Sequence, residues 1–228
     1  MYKEKNLIEI KSLNFFYLSV KHFLMQEPFD FLISCAQKIG PLSTQDVAEI
    51  KRCFTLHSVK KNEVFLHAGQ PCNRIYFVVN GLIRTYHLNP NGSEFTRVVV
   101  PEGQFCTVLA SFNDHLSSPA YFQALEEAQL LGITEHDFRK LVLVSPKIQN
   151  IYLKILEDYQ NFHIHRMEFL TQCNPRQKIK IFHKENPGLV TRLSKKVIAS
   201  YLQITPETYS RYLKNFNMNS LCNQTSAE

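Results

Sequence analysis

The chain has 228 residues, 44% of them hydrophobic and 20% charged, with a net charge of +6. That is ordinary composition for a soluble protein, and the length is enough for one large or two modest domains with proper cores. The six cysteines, Cys35, Cys53, Cys72, Cys106, Cys173 and Cys222, lie far apart with no CxxC pair, which argues against a zinc ribbon or a clustered iron-sulfur site and for free thiols in a reducing cytoplasm. The nine histidines lack ligand spacing, since His163 and His165 diverge on a helix; neither a metal nor a cofactor is expected.

In chain order, residues 1–28 are an N-terminal extension. Its apolar run, Leu13 to Val20, is too short to span a bilayer and is flanked by Lys11, Lys21 and His22. No small-residue cleavage site follows it, so no signal peptide and no membrane partner are expected. The run is either an extra helix packed on the next domain or upstream sequence, if translation begins at Met25. Phe29 to Phe54 predicts two helices broken at Pro41-Leu42-Ser43, with Ser43 or Thr44 capping the second.

From Leu56 the period becomes that of strands. Six short runs follow: Glu63–Leu66, Arg74–Val79, Leu82–Leu88, Phe95–Val100, Ala120–Leu125 and Gln129–Ile133. Turns at Ala68-Gly69, Asn80-Gly81, Asn91-Gly92 and Glu102-Gly103 separate them, and the two Asn-Gly pairs predict hairpins. Strands this short and closely spaced imply a small antiparallel sandwich or barrel. Thr134 caps a further helix, with Asp137 at the capping-box offset.

Pro146 to Gln172 is the longest helical pattern. Ile148, Ile151, Ile155, Tyr159, Phe162 and Phe169 recur at three- and four-residue spacing, interrupted by Arg166. Such a stripe predicts pairing with a second copy of the helix; the alternative is packing on the chain's own β-domain. Asn174-Pro175 ends it, giving domains at 29–145, 146–173 and 174–220 and a tail at 221–228.

Arg192 to Phe216 carries two short helical patterns separated by Gln203-Ile204-Thr205. Ser194 is the expected cap of the first, with Val197, Ile198, Tyr201 and Leu202 at helical spacing behind it. Thr205 caps the second, and Pro206 falls at the first helical position, which needs no backbone donor. A break of about three residues between helices is the helix-turn-helix signature. In the second helix Tyr209, Tyr212, Leu213 and Phe216 form an apolar stripe. Glu207, Arg211 and Lys214 face away from it, with Thr208, Ser210 and Asn215 on the shoulders. That outer face suits a DNA major groove: Arg donates a bidentate pair to guanine, Glu accepts from cytosine, and Lys and Ser reach phosphates or bases. Residues 174–216 hold nine basic side chains against Glu185 and Glu207, a surplus of seven against +6 for the whole chain. The basic excess is therefore confined to this segment, as expected if it alone meets a polyanion.

A β-roll, a long helix and a C-terminal helix-turn-helix together resemble the Crp/Fnr family of bacterial transcription regulators, an α+β architecture, over roughly Phe29 to Phe216. His67-Ala68-Gly69-Gln70, Tyr76 to Gly81 and Pro101 to Phe105 resemble the family's recurring turns. Ile198 to Leu202 and Ile204 to Thr208, followed by Ser210-Arg211, are similar to its Bacteroidetes-type branch. The resemblance implies a homodimer on a palindromic operator, base reading by Glu207 and Arg211, and RNA polymerase as a partner. With them Arg192, Lys195, Lys196, Thr205, Pro206, Thr208, Ser210 and Lys214 form the expected DNA-binding set. Pro206 stands where some members carry a further Arg, and Gln203 occupies a turn position that is often Gly. The winged-helix form of the domain would leave only a short strand near Leu189 to Leu193 as its wing.

The roll departs from the family's cyclic-nucleotide pattern. Val108 occupies the position of the ribose-binding Glu, and Ser118 that of the phosphate-clamping Arg, so cyclic AMP and cyclic GMP are expected to bind weakly or not at all. An effector, of unknown identity, would be lined by Gly103, Phe105, Cys106, Val108, Ser117 and Ser118. Two alternatives are a cupin-like metal enzyme, for which the separated His57, His67 and His87 supply no His-x-His cluster, and a regulator whose roll binds nothing.

Overall fold

The computed structural model describes residues 27–224, with side chains through Asn215; the expectations about Met1 to Met25, about the Phe216 side chain and about the final residues lie outside this range. The described residues fall into two compact units, 27–160 and 161–224.

The first unit opens with helices α1 (Pro28–Ile39) and α2 (Thr44–Cys53). Ser43 is the cap of α2: its hydroxyl accepts from the Asp46 amide while the Asp46 carboxylate accepts from the Ser43 amide, a reciprocal capping box. Eight strands follow: β1 (Thr55–Val59), β2 (Val64–Leu66), β3 (Arg74–Asn80), β4 (Ile83–Leu88), β5 (Glu94–Val100), β6 (Phe105–Cys106), β7 (Tyr121–Ala124) and β8 (Ala128–Thr134). They form two antiparallel sheets in the orders β1-β8-β3-β6 and β2-β7-β4-β5. All six expected strands are present within a few residues. The polar strand β1 and the two-residue β6 had no alternating signal to mark them, and neither did α3 (Leu109–Asp114).

The two Asn-Gly turns differ in kind. Asn91-Gly92 closes the β4–β5 hairpin, as expected. Asn80-Gly81 is not a hairpin turn, because β3 pairs with β8 and β6 while β4 lies in the other sheet. There the glycine is required by close approach: at φ +94° a Cβ on Gly81 would lie 2.6 Å from the Glu127 carbonyl oxygen.

One face of the β1-β8-β3-β6 sheet packs on the helices. Phe31, Leu32 and Cys35 of α1 meet Ile75 and Phe77 of β3 and Leu131 and Ile133 of β8, closed by Phe112, Leu141 of α4 (Glu135–Val144) and Ile148 of α5 (Pro146–Gln172). Phe65 links the two sheets inside the roll, edge-on to Tyr76 at 5.4 Å and to Phe122 at 5.8 Å. Thr134 caps α4 through the Asp137 amide, as its spacing predicted.

The second unit comprises the end of α5 with α6 (Pro175–Glu185), α7 (Pro187–Arg192), α8 (Lys195–Leu202) and α9 (Pro206–Gln224). No strand occurs among its described residues. The segment expected to supply a wing strand, Leu189 to Leu193, is mostly α7 instead: Pro187 starts the helix and the Leu193 amide closes on the Leu189 carbonyl at 2.9 Å. Helix α9 runs through Gln224, so residues expected as a tail continue the helix.

Candidate nucleic-acid interface

The helix-turn-helix is built by local chemistry at three points. Ser194 caps α8 by accepting from the Val197 amide. At its other end α8 stops in a Schellman motif: the Gln203 amide bonds the Ser200 carbonyl and the Ile204 amide bonds the Ala199 carbonyl at 3.0 Å. Gln203 itself sits in the left-handed region, at φ 54° and ψ 47°, where glycine would be unstrained. Thr205 then caps α9, its hydroxyl accepting from the Thr208 amide at 3.1 Å, with Pro206 in the first helical turn.

Behind these caps Ile179, Phe182, Leu189, Val197, Ile198, Ala199, Tyr201, Leu202 and Tyr209 are buried as one apolar head. Tyr209 is held by His183, whose Nε2 lies 2.8 Å from the phenol oxygen, and burial lowers the His183 pKa. Of the expected apolar stripe, Tyr209 is fully buried while Tyr212 and Leu213 are half-buried.

On the outer side Thr205, Pro206, Glu207, Arg211 and Lys214 are exposed, and Thr208 and Ser210 are half-buried. Lys195 and Lys196 are exposed in the first turn of α8, while Arg192 is half-buried at the end of α7. The Glu207 carboxyl is held below the ordinary carboxylate range by its own backbone amide and by the Thr205 hydroxyl, which keeps it an acceptor. Lys178, counted in the basic surplus, is buried and adds nothing to the outer face.

In the roll, the expected pocket residues divide. Cys106 faces inward opposite Tyr76 and is buried, which pushes its thiol far above the usual range, with Cys72 adding to the effect. Phe105 points the other way: its ring lies 5.0 Å from Phe77, on the helix-packed side of the sheet, because neighbouring strand residues alternate faces. Gly103 is on that side too, where an added Cβ would meet Phe31 at 3.4 Å. Val108 precedes α3 and is half-buried, and Ser117 is exposed in a bridge to Pro71. The Ser118 side chain is 1% exposed and wholly engaged in its own turn, donating to the Ala120 carbonyl and accepting from the Ala120 amide.

One group not foreseen is Arg97 of β5, near Tyr159 of the α5 stripe. The Tyr159 phenol is pushed up by burial and pulled back by the charge of Arg97, close to Cys106. The signal available in the sequence was one basic residue next to the apolar run Val98 to Val100.

Of the α5 stripe expected to pair with a second copy, Ile148 and Ile151 pack on the chain's own first unit. Ile148 lies in the helix-side core, Ile151 packs against Gly40, and Phe169 and Arg166 are buried in the second unit. Ile155, Tyr159 and Phe162 are half-buried. The apolar residues that α5 exposes are Leu153, Ile164 and Met167, at 54%, 42% and 61%. Leu153 belongs to the first unit, and Ile164 and Met167 to the second.

Residues 56–144 match the cyclic nucleotide-binding domain family. The anaerobic regulatory protein of Pasteurella multocida is 24% identical over 166 residues, which is 68% of this chain and 60% of that protein, so the match spans less than two thirds of that relative. Among solved structures, FixK2 from Bradyrhizobium japonicum aligns over 73% of this chain and 86% of its own, at 19% identity and a TM-score of 0.62. A Crp/Fnr-family transcriptional regulator from Eubacterium rectale aligns over 78% of this chain and 85% of its own, at 18% identity and a TM-score of 0.63. The fold is that of the Crp/Fnr family.

Within the Crp/Fnr fold, Val108 and Ser118, at the two expected nucleotide-anchor positions, are both uncharged. Val108 offers an apolar group, and the one hydroxyl of Ser118 is consumed by backbone. Among the described residues no group of three His, Cys, Asp or Glu side chains could hold a metal. No described helix is long and apolar enough to cross a membrane.

Proposed function

We propose that the protein is a sequence-specific DNA-binding transcription regulator of the Crp/Fnr type, acting in the cytoplasm as a homodimer on a palindromic operator and not as an enzyme. The observation that carries this reading is the exposed face of α9 immediately after a doubly capped three-residue turn, with Glu207, Arg211 and Lys214 projecting from the first turns of a long helix. Arg211 and Glu207 read base edges in the major groove. Lys195, Lys196, Lys214 and Arg192 add salt-dependent phosphate attraction, helped by the N-terminus of α8. The relatives' names support the same class of activity, and RNA polymerase is the partner through which such a protein acts.

Dimerisation is assigned to α5, the longest helix of the chain, which leaves Leu153 exposed in the first unit. Two copies would place their α9 helices in successive major grooves, about 34 Å apart. Cyclic nucleotides are not the effector, for want of both charged anchors. Micromolar binding of cyclic AMP in calorimetry would overturn the exclusion.

The deciding experiment is selection of fragments from a random DNA pool by the purified protein at near-physiological salt. A palindromic motif with half-sites one helical turn apart is expected. Arg211→Ala then costs about 1 to 3 kcal/mol at that site and relaxes its specificity. Equal losses on cognate and random DNA would contradict base reading by Arg211.

A further inference from the structure

Arg166 is the interruption in the apolar pattern of α5, and it is 3% exposed. Burying a guanidinium is costly unless its hydrogen-bonding groups and its charge are met, so its surroundings identify its task. Its Nη2 donates to the backbone carbonyl of Tyr201 at 2.7 Å, and its plane lies over the Tyr201 ring, 3.7 Å from the centroid. Phe182 lies beside that ring, at 5.6 Å.

The place of Tyr201 in α8 gives these contacts their meaning. The last four carbonyls of a helix have no partner within it. In α8 the Ala199 and Ser200 carbonyls are taken by the amides of Ile204 and Gln203 in the Schellman turn. The next carbonyl, that of Tyr201, is taken by Arg166. A cation is also favoured there by the helix dipole. Two residues further on, the chain adopts the strained left-handed conformation of Gln203 and then enters α9. Arg166 therefore grips, by both backbone and ring, the last turn before the bend that sets the direction of the recognition helix.

We propose that Arg166 is a positioning residue for DNA reading: from the last turns of α5 it clamps the end of α8 and so fixes the angle at which α9 leaves the turn. The proposal rests on the DNA-binding assignment above. It predicts that the flat, forked guanidinium is needed and not merely a positive charge, because an ammonium cannot stack on Tyr201 and reach its carbonyl in one fixed geometry.

The test uses the full chain with Arg166→Met, an apolar replacement of similar length, and Arg166→Lys. Two quantities are read: backbone amide exchange, and the ratio of affinities for the selected DNA site and for random DNA. In Arg166→Met the Gln203 and Ile204 amides should exchange about tenfold faster while those of Ile179 and Phe182 in α6 are unchanged, and the affinity ratio should fall about tenfold, the loss of one buried cation–π and charged hydrogen-bond contact. Arg166→Lys should restore neither. Unchanged turn exchange, an equal rise in α6 and the turn, or full restoration by lysine would each overturn the clamp. If the unaltered protein does not discriminate between DNAs, the DNA assignment fails and the exchange result alone decides the clamp. Should Arg166→Met fail to fold, Tyr201→Leu, which keeps the carbonyl and removes the ring, must still accelerate exchange at Gln203 and Ile204; if it does not, the proposal is wrong.

Discussion

Gln203 permits the sharpest test of how the helix-turn-helix is held. Its φ of 54° and ψ of 47° place it in the left-handed region, its side chain is exposed, and its amide closes the Schellman turn. A residue with a Cβ loses about 1 to 2 kcal/mol there relative to right-handed backbone, a cost that glycine escapes. Glycine also raises the entropy of the unfolded chain, which takes back about 0.4 to 1 kcal/mol. The balance for Gln203→Gly is a gain of about 0.5 to 1 kcal/mol, since no side-chain contact of the exposed Gln203 offsets it. In a unit of this size 1 kcal/mol moves the midpoint of thermal unfolding by about 4 to 8 °C. The assay is thermal and denaturant unfolding of Gln203→Gly beside Gln203→Ala. The alanine variant removes the same side chain but keeps the Cβ, so it should be near neutral. If glycine is neutral or destabilising, or if alanine stabilises as much as glycine, the strain reasoning fails and the Gln203 side chain must be acting in some other way.

Two further predictions concern the first unit and the assembly. The Asp46 carboxylate accepts from Ser145 at 2.5 Å and from the hydroxyl and amide of Ser43; the Ser145 and Ser43 hydroxyls, in that order, lower its pKa despite burial. A depressed folded value means that this stabilisation is fully present above the unfolded carboxylate range near about 4 and is lost as pH falls through the folded value. Asp46→Asn should cost about 1 to 3 kcal/mol at pH 7, from charged hydrogen bonds, with the gap to wild type closing below about pH 4 in denaturant titrations; a gap that persists in acid would contradict it. For α5, Leu153→Lys should shift the proposed dimer toward monomer in sedimentation, and lower the unfolding midpoint only as far as lost association requires. Ile148→Ala should instead destabilise the fold by about 2 to 5 kcal/mol, as for a large core residue cut to alanine. A lysine at 153 that leaves the association unchanged would move the proposed interface elsewhere.

Local signals in the sequence were enough for most of the secondary structure and for the exposed face of α9. Ser43, Thr134, Ser194 and Thr205 cap the helices their spacing predicted, because capping depends on side chains within three residues of the backbone they bond. The outward set of Glu207, Arg211 and Lys214 was equally legible, since helical periodicity fixes which residues share a side. What sequence alone could not decide was everything that depends on which surfaces meet. The α5 stripe of Ile148 and Ile151 has the same periodicity whether it packs on its own core or on a second copy, and only the tertiary structure shows the former. Asn80-Gly81 has the composition of a hairpin turn yet carries the chain between sheets, because strand partners are chosen over long range. Leu189 to Leu193 is too short for its period to distinguish strand from helix, and Pro187 with the neighbouring packing settled it as α7. Arg166 appeared as a flaw in an apolar pattern until the fold brought Tyr201 against it. A buried charge is explained by its partner, and a partner 35 residues away is visible only in three dimensions.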